Sequence, residues 1–184
     1  MANEFNGLIP LYSSLAGGAL SLLGSWGAIW FSTRSKNKHA AHQLANAFKG
    51  EMYALVHIAE LRNYAGGLKA MAKWCTENNS VGFFSAPSRE EYRAVYKANV
   101  GKLGSLQGDL PKQIAIVYTQ MASLQEDLKT LDEIHLGTRT DAWMGQPATA
   151  SQRYSEMASI IEDTISKAKA AMTEIDRLYP ASTK

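Results

Sequence analysis

One cysteine, Cys75, stands in the 184 residues, so no internal disulfide can form and the usage fits a reducing compartment. No Glu-x-x-His motif occurs, which removes the ligand pattern of a di-metal helical bundle. Strand-like alternation is almost absent, and there is no long repeat or low-complexity tract, so the chain reads as all-α. Charge is missing too: no lysine or arginine precedes Arg34, and nothing charged stands between Glu4 and Arg34. A cleaved secretory signal needs a basic leading region and a small-residue cleavage site. The stretch "MANEFNG" has no such base, and tryptophans stand where cleavage would fall.

The uncharged run from Leu8 to Phe31 is 24 residues long, enough to cross about 30 Å of hydrocarbon as a helix. Pro10 falls in its first turn, where a missing N–H costs no helical hydrogen bond. Tyr12 near one end and Trp26, Trp30 and Phe31 near the other suit the two membrane interfaces. The basic collar Arg34, Lys36 and Lys38 then sets the orientation and offers contacts to anionic lipid headgroups. These features predict a short extracytoplasmic tail at 1–7, a transmembrane helix at 8–32, a collar at 33–39 and a cytoplasmic domain at 40–180, with a tail at 181–184. The expected location is the cell membrane, single-pass, with the N-terminus outside. Within the span, Ser14, Gly17, Ser21, Gly24 and Ala28 recur at three- and four-residue spacings, a small-residue seam on which helices can associate.

The net charge of +2 is unevenly placed: Arg34, Lys36, Lys38 and Lys49 give +4, Glu4 gives −1, and the remainder from Gly50 sums to −1. That is not a nucleic-acid profile. Downstream, the apolar period predicts an antiparallel bundle of three long helices and one short, near 40–75, 89–102, 110–136 and 151–179. In the first, Leu44, Phe48, Leu55, Ile58 and Ala65 form one seam, with Leu61, Tyr64, Leu68, Met71 and Cys75 beside it; Gly66-Gly67 is its weakest point. Ser88 and Glu91 have capping-box spacing for the short helix. Asp109 and Pro111 open the third, whose Ile114, Val117, Met121, Leu124, Leu128 and Leu131 repeat like a coiled-coil stripe. Tyr154, Met157, Ile161, Ile165, Ala168, Met172 and Ile175 repeat it in the last, which Pro180 ends.

Candidates for chemistry are dispersed. His39 and His42 lack a ligand partner at regular spacing, and His57 falls between Ala54 and Leu61, where a hydrogen-bonded residue in or near the core is expected. Cys75 ends an apolar stripe and reads as packing, while His135 sits at a helix C-terminus and suits its dipole. Gly101, Gly104 and Gly108 match no phosphate-loop fingerprint. No catalytic, cofactor or metal site is expected. Phe83 and Phe84 in one loop, and Trp143 and Met144 in another, are large apolar groups outside the helical pattern; they either cap the bundle ends or contact a protein partner. The sequence thus predicts a membrane-anchored, non-enzymatic subunit or scaffold that forms a homo-oligomer and binds partners on the cytoplasmic side. The alternative is an oligomeric, channel-like effector gated by the bundle, which the scarcity of polar residues in the span disfavours.

Overall fold

Apolar residues at three- and four-residue spacing can be buried only against similar stripes, and the computed structural model, which describes residues 36–85, 90–140 and 145–180, shows how they meet. The chain divides into two units, 1–42 and 43–184. Of the first, residues 36–42 are described; they are helical and expose Lys36, Lys38 and His39. The small-residue seam, Arg34 and the expected span at 8–32 lie outside the described residues. Among the described residues no helix is long and apolar enough to cross a membrane.

Among its described residues, the regular structure of the second unit is all helical. Residues 43–61 form α1, followed by α2 (Tyr64–Asn78), a 3₁₀ turn at Glu90–Arg93, α3 (Ala94–Asn99), a second 3₁₀ turn at Val100–Ser105, α4 (Leu110–His135) and α5 (Pro147–Leu178). Pairings along α5 fix the layout. Lys49 meets Asp176 at 2.5 Å, Glu60 meets Lys169 at 2.6 Å, Lys69 meets Glu162 at 2.6 Å and Thr76 meets Ser151 at 3.0 Å. Residue numbers rise on one side as they fall on the other, so α1 and α2 run in succession antiparallel to α5. The same logic makes α4 antiparallel to α5, since Gln107 N bonds Tyr179 Oη at 3.0 Å while Gln120 bonds Asp163 at 2.6 Å. The result is a bundle in which α1–α2, α4 and α5 pack on one another, with the short α3 segment held against α1 and α4.

The single helix expected at 40–75 is therefore two, and the break falls at Asn63 rather than at the glycine pair. Asn63 adopts a left-handed conformation (φ 49°, ψ 45°), the region asparagine enters most readily among residues bearing a Cβ. Its carbonyl accepts from Gly67 N at 2.9 Å, so the ladder restarts at once. Both glycines sit inside α2 for packing reasons: a Cβ on Gly66 would lie 2.4 Å from the Asn63 carboxamide, and one on Gly67 would lie 2.6 Å from the Phe84 ring. Proline placement also moves a boundary. The last helix begins at Pro147, not near Ser151, because proline's fixed φ suits the first turn.

The expected stripe of α4 is largely internal, with Ile114, Val117, Leu124, Leu128 and Leu131 buried, and Tyr154, Met157, Ile161, Ala168 and Ile175 of α5 face it. Leu61 is the exception on α1, at 75% exposure. The short α3 cannot hold itself and is tied to the bundle by Glu51. This carboxylate accepts from Val95 N at 2.7 Å, Tyr96 N at 3.0 Å and Tyr118 Oη at 2.6 Å, supplying from α1 the cap that α3 lacks. Tyr96 stacks on Tyr118 at 4.2 Å, and Phe48 tilts against both. Burial and the hydrogen bond to Glu51 push the Tyr118 phenol far above its ordinary range.

Candidate interaction surface

The segment that leaves α2 is held at both ends. Asn79 closes the helix in a left-handed conformation (φ 47°), as C-terminal asparagines do, and the chain then continues without regular structure through Val81–Ser85. Gly82 lies so close to α2 that a Cβ there would stand 2.3 Å from Met71 Sδ and 2.8 Å from the Trp74 ring. Its N–H donates to Cys75 Sγ at 3.4 Å, and its carbonyl accepts from Tyr154 Oη at 2.7 Å. Three residues on, Ser85 Oγ donates to Asp132 Oδ1 at 2.7 Å. Burial, followed by the neighbouring Cys75, pushes the Tyr154 phenol up to about 12, so the phenol keeps the proton it donates to the Gly82 carbonyl.

The two adjacent phenylalanines have different surroundings. Phe84 turns inward, into the notch at Gly67, and packs against the core cluster of Leu68, Cys75, Leu131 and Tyr154. Its ring is half-buried there. Phe83 turns outward with 43% of its surface exposed, its ring centroid 5.3 Å from that of His135. Leu136 follows His135 and is 73% exposed, while Trp74, on the other side of Gly82, is 42% exposed. Exposed Phe83 thus stands beside His135, with exposed Leu136 next in sequence to that histidine and exposed Trp74 beside the clamped Gly82. Large apolar side chains gathered on a surface mark interaction sites more often than scattered ones do.

Trp143 and Met144 lie outside the described residues, and so do Ser14, Gly17, Ser21, Gly24 and Ala28. Lys36 and Lys38 are exposed on helix. His57 departs from expectation: it is exposed, with its ring parallel to that of Tyr53 at 6.1 Å, because the buried stripe of α1 passes through Met52 and Val56. Cys75 is fully buried. Among the described residues no three of His, Cys, Asp or Glu are grouped as a metal site. Trp74 and Leu136 were not singled out from the sequence. The available signals were their positions off the apolar stripe and, for Leu136, a following glycine that takes positive φ (71°). Compared with known proteins, the chain matches no family model, no curated protein and no solved structure.

Proposed function

We propose that this protein is a membrane-anchored, non-enzymatic helical subunit or scaffold that self-associates and holds a protein partner on the cytoplasmic side. The observation that carries the binding role is the exposed Phe83 ring against His135, on a segment whose preceding Gly82 is held by Cys75 and Tyr154. Side chains already ordered before association lose little entropy on binding, which favours them as anchors. The membrane role rests on the uncharged run Leu8–Phe31 with the collar Arg34, Lys36 and Lys38 behind it.

A photo-crosslinking amino acid placed at Phe83 in cells should give a discrete protein adduct, and the same probe at exposed Lys73 should not. Replacing Phe83 and Leu136 together with serine should remove the partner from the native complex while leaving the helical circular dichroism and melting temperature nearly unchanged. Equal crosslinking from both positions, or a partner retained by the double variant, would refute the assignment. Orientation is tested separately: an Asn3→Cys variant should react with an impermeant thiol reagent in intact cells.

A further inference from the structure

A cavity of about 110 Å³ opens between α1, α4 and α5. Its floor consists of Met52, Val56, Val117, Leu124, Ile161 and Ala168, all buried. The Thr164 hydroxyl also lines it but donates to the Ile160 carbonyl at 2.7 Å. The floor therefore gives water little to bond, so an apolar group seated on it would displace weakly held water; an enclosed apolar cavity of about 150 Å³ takes benzene or xenon. A slightly smaller space suits a branched alkyl group of about four carbons.

The rim has a different chemistry. Tyr64, Tyr92 and Gln125 stand at the half-buried side of the cavity. Arg62, on the turn between α1 and α2, is exposed and donates from Nη1 to the Tyr64 hydroxyl at 2.9 Å. The adjacent carboxylate, Glu60, is engaged by Lys169 of α5 at 2.6 Å. A fixed positive group therefore stands beside the phenol rim of an apolar pocket. We propose that this pocket binds a small amphipathic carboxylate, its branched alkyl end on the Met52–Ala168 floor and its carboxylate toward Arg62. This site is separate from the Phe83 surface and does not depend on it.

The full chain in lipid nanodiscs, labelled at methionine methyls for NMR, provides the test, because Met52 and Met121 line the pocket and Met157 does not. Isovalerate should shift the Met52 and Met121 methyls saturably, leave Met157 in place, and bind more tightly than acetate. Arg62→Gln should weaken isovalerate about threefold, as expected for an exposed charge contact, and leave isoamyl alcohol unchanged. Ala168→Leu should abolish both ligands by filling the floor; Met121→Phe narrows the mouth and serves if the first variant does not fold. Absence of a saturable shift at Met52 and Met121 would overturn the proposal. So would equal losses for isovalerate and isoamyl alcohol in Arg62→Gln, or full binding in a folded pocket-filling variant.

Discussion

At the scale of single residues, Tyr154 and Gly82 carry more than their types suggest. Tyr154→Phe removes the donor to a buried carbonyl and should cost about 1–3 kcal/mol in chemical denaturation. Gly82→Ala should cost about as much, because Met71 can yield at its sulfur end but the Trp74 ring is less easily displaced. Gly101→Ala is the control: its Cβ would meet nothing within 4 Å, and the change should be near neutral. The raised phenol also sets an alkaline limit. A group whose proton is held more tightly in the folded state contributes stability that is complete below its ordinary value of 10.0 and is lost as pH rises through about 12. Unfolding free energy should therefore fall over that interval, and the fall should be shallower in Tyr154→Phe.

At the scale of elements, the turn at Asn63 and the tie at Glu51 decide how the helices are placed. Asn63→Ala should lower stability by about 1 kcal/mol, the cost of forcing a Cβ without a compensating side chain into left-handed backbone, while Asn63→Gly should be nearly neutral. The stripes of α4 and α5 were legible in the sequence because three- and four-residue spacing needs only local information. The Asn63 break was not, since a neighbouring glycine pair is the stronger punctuation and the reasons for those glycines, Asn63 and Phe84, are tertiary. Phe83 and Phe84 were legible as loop residues. Which of them points inward depended on the Gly67 notch and on the clamp from Tyr154, 72 residues away from Gly82. Glu51 had no local signature at all, because its donors lie 44 to 67 residues downstream.

At the scale of the whole molecule, the self-association proposed above would run through the small-residue seam. Gly17→Leu or Gly24→Leu should reduce the oligomer mass of the detergent-extracted protein, and Leu15→Ala on another face should not. Retention of the native mass by both glycine variants would remove the seam from the account. The Glu51 tie gives the bundle a different kind of readout. A helix of six residues, as α3 is, does not persist alone in water, so its amides would ordinarily exchange with solvent deuterium almost at the rate of an unfolded chain. Val95 and Tyr96 donate to a carboxylate held by α1 and reached by α4, so their amides can open only when those helices separate. Their exchange should run as slowly as that of the α4 core, and Glu51→Gln should accelerate it at these two positions before any change is seen at Leu124 or Leu128.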